Sequence, residues 1–537
     1  MKKSILLFVL SALLSTGLSA QKKTSSPTGQ KVEKTDLSSK PYEIKFNVKG
    51  VRDSVVYLAI YTFDKQYLID TAARAKDGSY TFKKKRNLDK GMYMLISQGK
   101  GKYIDFIINE NDKFSCSFDS SDVIKSMKFS GSPENDRFLE LVKFMAVKTM
   151  DFNNFKTSMK PTTAADSSKL LIEKTRSINK EVDAFRKEFL TKYPEGFVSD
   201  FVRLQMEPDV SNPPKASNGR PDSVWQYQFF KNNYWKDIPL ADERILHTPI
   251  FGDKVKNFFQ KSILQIPDSI NIELSKVVDR CKPSPEMFKW VVYWLTNWSE
   301  TNKVMGFDAV FVYLGERYYK TGQVDFYTQD QIKKIIERVN ILGPLLIGKK
   351  CPELLAVDTI GAKLCIKLGL DSCKTSECLT DKYTKNRTEI DERLISLYGQ
   401  KAKFKVLLFW DVDCGHCKKE VPVIFEKFQE LRQEGIDVKV HAVYTQHEYA
   451  KWFKTLKEMK LSDPNWKNVV DGVHLQNLKE KFDIFSTPVI YILDESNNIK
   501  FKRIGAEQLT DVIHILDDPS GKKYKPSKKT ETAKEKN

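Results

Sequence analysis

Two cysteines separated by two residues constrain this chain more than any other feature of its sequence. Cys414 and Cys417 lie in FWDVDCGHCKKEVP (409–422), behind the apolar run VLLFW and ahead of a segment with helical periodicity that ends at Gly435. A buried strand that leads directly into an amphipathic helix is typical of an α/β sheet. A cysteine pair at such a junction can be a metal clip, a structural bridge or a redox couple.

The start of a helix favours the redox couple. Free backbone N–H groups and the positive end of the helix dipole stabilise a thiolate there, and a thiolate is the nucleophile of disulfide exchange. Tetrahedral zinc wants four ligands, and only His416 lies close in sequence, so a metal site is disfavoured. We therefore predict that Cys414 is the nucleophile and that Cys417, one turn further on and more buried, is the resolving cysteine.

The first residues read as a targeting segment. Lys2 and Lys3 precede an apolar core, ILLFVLSALL, which is shorter than a membrane-spanning helix, and a small residue, Ala20, stands before Gln21. We predict a signal peptide over residues 1–20 and a linker over residues 21–40. Cleavage of the signal peptide implies that the chain is exported, soluble after cleavage and located in a bacterial periplasm.

The length of 537 residues exceeds what one hydrophobic core supports, so several domains are expected. The net charge of +18 comes largely from scattered lysines and from both ends of the chain. Neither end interleaves aromatics for base stacking, so we predict no nucleic-acid binding. Residues 517–537 are predicted to be a basic disordered tail.

The pattern of apolar residues changes twice along the chain. Residues 41–130 contain short runs of period two between turn signals, which predicts an antiparallel β-sandwich. From Ser132 and Pro133 the period becomes helical, so residues 131–345 are predicted to be a helical domain. Residues 346–516 alternate strands and helices, which predicts an α/β domain with a central mixed sheet.

The segment Lys349–Leu516 resembles a thioredoxin-fold domain, most closely the TlpA/ResA type of exported thiol:disulfide oxidoreductase. The resemblance lies in VLLFWDVDCGHCKKEVP and STPVIYILD. It implies that the peptide bond between Thr487 and Pro488 is cis and faces the cysteines, and that Thr487, Pro488 and Trp410 contact the substrate. The preceding β and helical modules resemble modules of unknown function found before such domains.

Two departures from thioredoxins affect the expected chemistry. Leu408 stands where thioredoxins carry a buried carboxylate that helps to deprotonate the resolving cysteine. The carboxylates that remain as alternatives are Asp411, Asp413 and Glu420.

The second departure is Gly415-His416 between the cysteines, the pair found in protein disulfide isomerases. An imidazolium on His416 would lower the pKa of Cys414 and raise the reduction potential, whereas Asp413 would oppose both effects. The sequence therefore leaves the direction of electron flow open. Asp411 also stands where peroxiredoxins need Thr or Ser, which disfavours a peroxidase.

Three further cysteines lie in the insertion CIKLGLDSCKTSEC (365–378). Cys373 and Cys378 can close a small loop as a structural disulfide, or form a second redox pair that feeds Cys414. Cys116, Cys281 and Cys351 are expected to be buried.

These observations predict a periplasmic thiol:disulfide oxidoreductase that acts on proteins through its CGHC pair. The family resemblance favours net reduction, with electrons from a membrane reductase. No cofactor or metal is expected beyond the redox-active disulfide of Cys414 and Cys417. The alternatives are a disulfide isomerase or oxidant, and a scaffold protein whose N-terminal domains recruit a partner.

Overall fold

The computed structural model describes residues 41–160, 163–474, 476–521 and 523. The chain forms two compact units, one that ends at Leu295 and one that begins at Thr296. The predicted signal peptide, the predicted linker and most of the predicted basic tail lie outside the described residues. None of the helices in the described part is long and apolar enough to cross a membrane.

The first unit opens with two four-stranded sheets, in the orders β4-β1-β7-β8 and β3-β2-β5-β6. Their strands are β1 (Tyr42–Lys49), β2 (Val55–Thr62), β3 (Lys65–Ala73), β4 (Tyr80–Lys84), β5 (Gly91–Ile96), β6 (Lys102–Ile108), β7 (Lys113–Asp119) and β8 (Lys128–Ser130). The pairing is antiparallel except between β1 and β7, which are parallel, so the prediction of an entirely antiparallel region was wrong at this pair. Parallel neighbours need a long connection, and the five strands between β1 and β7 supply it.

The burial of β5 shows how the sheets and the helices share their cores. Ile44 of β1, Leu58 of β2 and Phe106 of β6 belong to one cluster that both sheets bury. Met92 and Met94 of β5 belong to a second cluster together with residues of the following helices. Strand β5 therefore has apolar neighbours on both faces, and its continuous apolar run is buried along its whole length.

Helices follow these strands, as the sequence predicted. They are α1 (Val123–Ser126), α2 (Pro133–Ser158), α3 (Ala164–Lys192), α4 (Phe197–Gln205), α5 (Ser223–Asn233), α6 (Phe251–Asn257), α7 (Pro267–Cys281) and α8 (Pro285–Thr301), which spans the boundary between the units. Helix α2 begins at Pro133 as expected, but Ser132 Oγ accepts a hydrogen bond from Asn135 Nδ2 at 2.8 Å and does not cap the backbone.

The second unit contains a mixed sheet of seven strands in the order β10-β9-β13-β12-β11-β14-β15. The strands are β9 (Leu355–Asp358), β10 (Leu394–Ser396), β11 (Phe404–Trp410), β12 (Val438–Tyr444), β13 (Trp466–Val470), β14 (Val489–Asp494) and β15 (Ile499–Lys502). Strands β11, β12 and β13 run parallel, and the other pairs are antiparallel. The sequence did not predict β13, because Lys467 and Asn468 interrupt its apolar residues.

The helices of the second unit are α9 (Asp308–Leu314), α10 (Gln329–Leu342), α11 (Thr359–Lys367), α12 (Ser376–Lys385), α13 (Arg387–Asp391), α14 (Gly415–Gln433), α15 (Tyr449–Glu458), α16 (Leu478–Lys481) and α17 (Leu509–Asp517). The sequence assigned α9 and α10 to the helical domain, yet they lie in the same unit as the seven-stranded sheet. Arg338 of α10 forms an ion pair with Asp483, and Lys502 of β15 forms one with Asp308 of α9.

Helix α14 is held against the central strand of this sheet. Strand β11 is buried along its whole length, and α14 buries Val421, Ile424 and Phe428 in the same cluster as residues of β11. The helix ends before Gly435, where φ is +81° and a glycine is favoured, as the sequence predicted. The N-terminus of α14 is thereby fixed just beyond the C-terminal end of β11.

Candidate active site

Cys414 occupies the N-cap position of α14. Its φ of −74° and ψ of 119° are extended, and no side chain caps the helix. The backbone N–H groups of His416 and Cys417 nevertheless act on the sulfur of Cys414 and lower the pKa of its thiol. A helix start leaves its first N–H groups without partners inside the helix, so their partial positive charge lies beside this sulfur.

These contacts change the ionisation of Cys414. Its partial burial raises the pKa of the thiol, but interactions with the N–H groups of Cys417 and His416 and with the side chain of Thr487 lower it, and the net pKa lies below the ordinary value. The side chain is half-buried and therefore reachable from solvent. A partly exposed thiol with a lowered pKa has the properties of a reactive cysteine.

Cys417 has the opposite environment. It is fully buried in the core, and burial raises the pKa of its thiol to about 12. The charge of Cys414 raises this pKa further, whereas the backbone N–H of Asp411, 3.5 Å from Cys417 Sγ, lowers it. Cys417 therefore keeps its proton to a higher pH than Cys414 does, and both are free thiols in this structure.

The second predicted motif lies against the first. The peptide bond between Thr487 and Pro488 is cis, and both residues are half-buried. Cys414 Sγ donates a hydrogen bond to the carbonyl oxygen of Thr487 at 3.1 Å, across 73 residues of sequence. The pairing of Val489 with Phe409 in the sheet sets this register, so the loop before β14 meets the cysteine pair.

Trp410 does not lie where the resemblance implied. Its side chain is fully buried, 6.3 Å from the ring of Tyr444 between centroids. A side chain with no exposed surface cannot contact a protein substrate, so the predicted substrate-binding role of Trp410 was wrong. It is a core residue because β11 is covered on both faces.

Of the acidic alternatives, Asp411 has a described contact with Cys417, through its backbone N–H. Its carboxylate accepts hydrogen bonds from Gln446 Nε2 at 2.7 Å and from the backbone N–H of Asp413 at 2.9 Å. Leu408 is fully buried in the core, so the position of the thioredoxin carboxylate offers no base. Local sequence patterns carry no signal for Gln446, because it reaches Asp411 from just beyond the end of the neighbouring strand β12.

Asp413 stands beside Cys414 but is paired with a lysine. Lys451 Nζ of α15 lies 2.7 Å from Asp413 Oδ2, and both side chains are about half exposed. This ion pair, which the sequence did not reveal, moderates the negative charge near the nucleophile. Glu420 is half-buried in the second turn of α14.

His416 is exposed, and the group of this residue that contacts Cys414 is its backbone N–H. Its imidazole forms no hydrogen bond with another described residue. Its predicted role in tuning the potential stays a prediction.

Cys373 and Cys378 form a disulfide in this structure. The other free cysteines, Cys116, Cys281, Cys351 and Cys365, are buried. Burial raises the pKa of the first three of these thiols to about 12, which makes them poor nucleophiles. Among the described residues, no group of three or more His, Cys, Asp or Glu side chains is arranged to hold a metal ion.

Comparison with protein families matches residues 42–138 to a domain of unknown function (DUF4369). No curated protein matches the chain. The family match covers the two N-terminal sheets and the start of α2.

Solved structures similar to this chain include a domain of a possible thiol-disulfide isomerase from Cytophaga hutchinsonii. The two sequences are 30% identical, and the match covers 33% of this chain and 96% of that domain, with a TM-score of 0.25. A thioredoxin-like protein from Bacteroides caccae is 14% identical, and the match covers 57% of this chain and 99% of that protein, with a TM-score of 0.40. StoA from Bacillus subtilis is 25% identical, and the match covers 22% of this chain and 88% of StoA, with a TM-score of 0.19. Part of this chain is thus similar to thioredoxin-like domains.

Proposed function

We propose that the chain is a periplasmic thiol:disulfide oxidoreductase that exchanges disulfides with other exported proteins. Residues 346–516 are its thioredoxin-like domain, of the TlpA/ResA type. The observation that carries this proposal is the division of roles between two neighbouring thiols. Cys414 is half-buried with a lowered pKa, and Cys417 is buried behind it with a raised one.

The first step is the attack of the Cys414 thiolate on one sulfur of a substrate disulfide. A new S–S bond forms between Cys414 and the substrate, the substrate S–S bond breaks, and the leaving substrate thiolate takes a proton from solvent. The N–H groups of His416 and Cys417 hold the attacking sulfur at the helix start. The carbonyl of Thr487 lies beside this sulfur and fixes the side from which the substrate approaches.

The second step releases the substrate. Cys417 loses its proton and attacks Cys414 Sγ, the mixed disulfide breaks, and the second substrate thiolate leaves. The charge on Cys414 raises the pKa of Cys417 in the free dithiol. That charge disappears once Cys414 is bonded to the substrate, so the pKa of Cys417 falls when its ionisation is needed. Two electrons have then passed to the substrate, and the Cys414–Cys417 disulfide remains.

We propose net reduction, with a membrane thiol reductase returning two electrons to the oxidised pair. The redox-active disulfide is the only redox group the reaction requires. The effect we propose for His416 is a higher potential, and the pairing of Asp413 with Lys451 limits the opposing effect of the carboxylate. The predicted signal peptide supports export, and oxidised periplasmic proteins are the substrates.

Trapping of the mixed disulfide tests the nucleophile. Cys417→Ser should accumulate a covalent adduct between Cys414 and a disulfide-containing protein such as insulin, because the second step is blocked. Cys414→Ser should form none. An adduct on Cys417 in the Cys414→Ser protein, in equal yield, would contradict the proposal.

The reduction potential of the pair tests the direction. The full chain is equilibrated against glutathione mixtures, and the peptide containing both cysteines is followed by alkylation and mass spectrometry. A potential near or below about −270 mV agrees with a reductase, whereas one near about −180 mV or higher indicates an oxidant or isomerase.

A further inference from the structure

An exposed aromatic side chain stands in the loop that precedes Pro488. Phe485 lies between α16 and β14, and 81% of its surface is accessible to solvent. Its exposure is not evident from the sequence, since an aromatic residue in KFDIFSTPV is equally compatible with a core position. Its exposure shows that the fold does not need this ring for packing.

Phe485 is close in sequence to the residue that contacts the attacking sulfur. It lies two residues before Thr487, whose carbonyl oxygen accepts the hydrogen bond from Cys414 Sγ. Two residues of extended chain span at most about 7 Å, so the Cα of Phe485 lies within that distance of the Cα of Thr487. The loop that contacts the attacking sulfur therefore also carries this exposed ring.

The ring is also held in place. The guanidinium carbon of Arg338, on α10, lies 5.1 Å from the centroid of the Phe485 ring. Arg338 is itself anchored by the carboxylate of Asp483, which is buried and also pairs with Arg503. An exposed side chain that is already ordered loses less conformational entropy when it binds a partner.

We propose that Phe485 is a specificity-determining residue of the redox site. Its open face contacts an apolar side chain of the substrate polypeptide beside the cysteine that exchanges with Cys414. Arg338 is a positioning residue that orders the ring from the opposite side. This inference rests on the proposed function, because it names the sequence that the same site prefers in its substrates.

Three synthetic peptides test the proposal, each with one internal disulfide and with Leu, Ser or Asp beside the first cysteine. The second-order rate constant for oxidation of the pre-reduced full chain is measured with each peptide and with hydroxyethyl disulfide, which has no flanking residue. The wild-type chain should react fastest with the Leu peptide, by about ten-fold over the Ser peptide, as expected for burial of one large apolar side chain.

The variant Phe485→Ala should lose this preference while its rate with hydroxyethyl disulfide is unchanged. Phe485→Leu should recover part of the preference. The matched control is Ile515→Ala, at a residue that is 58% exposed. The neighbouring His514 bonds Glu434 at the C-terminal end of α14, about 30 Å along the helix from Cys414, so this variant should behave as wild type.

Four results would overturn the proposal. The first is a Phe485→Ala protein that retains the Leu preference, and the second is one that reacts equally slowly with hydroxyethyl disulfide, which would show an effect on the cysteine pair itself. A preference for the Asp peptide would assign recognition to Arg338 and Arg503. If the wild-type chain reacts with none of the four disulfides, the proposed function is contradicted, and this inference fails with it.

Discussion

The second unit carries two cysteine pairs, and each lies at the start of a helix. Cys378 is in the first turn of α12, where the side chain of the N-cap residue Thr375 accepts a hydrogen bond from the Cys378 N–H at 3.2 Å. Cys414 is itself the N-cap residue of α14, and no side-chain oxygen caps that helix. The difference lies in whether a side-chain oxygen accepts one of the free N–H groups.

This difference separates a structural bridge from a reactive pair. At α12 a neutral hydroxyl satisfies the helix start, and the helix has no buried residue. At α14 no side chain accepts these N–H groups, those of His416 and Cys417 lower the pKa of Cys414, and the partner Cys417 is buried in the core. Thiol reactivity therefore follows from the capping position and from unequal burial, and not from the proximity of two cysteines alone.

The largest expected effect is the loss of exchange at one pair only. Cys414→Ser should lower the rate of insulin reduction by about 1,000-fold or more, because the nucleophile is removed. The double variant Cys373→Ser/Cys378→Ser should keep the wild-type rate within about two-fold. Loss of activity in the double variant would show that the insertion feeds electrons to Cys414.

The second prediction concerns stability at α12. Removal of the Cys373–Cys378 bridge should destabilise this helix by about 2 kcal/mol, from the loop entropy that a six-residue disulfide loop removes. Amide hydrogen exchange in residues 376–385 should then be about 30-fold faster, as measured by mass spectrometry. Exchange in α14 serves as the internal control, and equal rates in α12 before and after the change would disprove a stabilising role.

The third prediction concerns His416. His416→Ala should make the potential of the Cys414–Cys417 pair more negative by about 20 mV at pH 6, since a nearby cation stabilises the thiolate by about 1 kcal/mol. His514→Ala is the matched control, because His514 of α17 contacts Glu434 at the opposite end of α14, and it should leave the potential unchanged. An unchanged potential in His416→Ala would leave the backbone N–H groups alone as the source of tuning.

The smallest expected effect comes from the ion pair beside the nucleophile. Lys451→Met frees the carboxylate of Asp413 and should slow alkylation of Cys414 at pH 6 by about two-fold, because exposed charges interact weakly. Lys454→Met is the control on the same helix, since Lys454 pairs with Glu458. Equal rates in the two variants would show that Asp413 does not influence the thiol.

The sequence predicted those parts of the fold that depend on local patterns. The order of β, helical and α/β regions, the start of α2 at Pro133 and the end of α14 before Gly435 are visible as changes of period, proline and glycine. The helix start at Cys414 was predictable in the same way, because an apolar strand leads directly into an amphipathic segment.

The parts that sequence did not reveal depend on contacts between distant residues. Trp410 was misplaced because its burial depends on how the sheet is covered, and the parallel pairing of β1 with β7 depends on the order of the strands. Gln446 and Lys451 reach the two aspartates from other elements, and Arg338 reaches Phe485 across 147 positions in the chain. The local periodicity of a sequence carries no information about such contacts.

The pH dependence of alkylation at each cysteine tests the central claim most directly. The full chain, reduced at Cys414 and Cys417, is treated with iodoacetamide between pH 4 and pH 10, and each modified peptide is quantified by mass spectrometry. A thiol with a lowered pKa stays ionised and reactive below the pH at which an ordinary cysteine protonates, so Cys414 should react there while Cys417 does not. Titration of Cys414 at or above the ordinary pKa of cysteine, or equal reactivity of Cys417, would contradict the account.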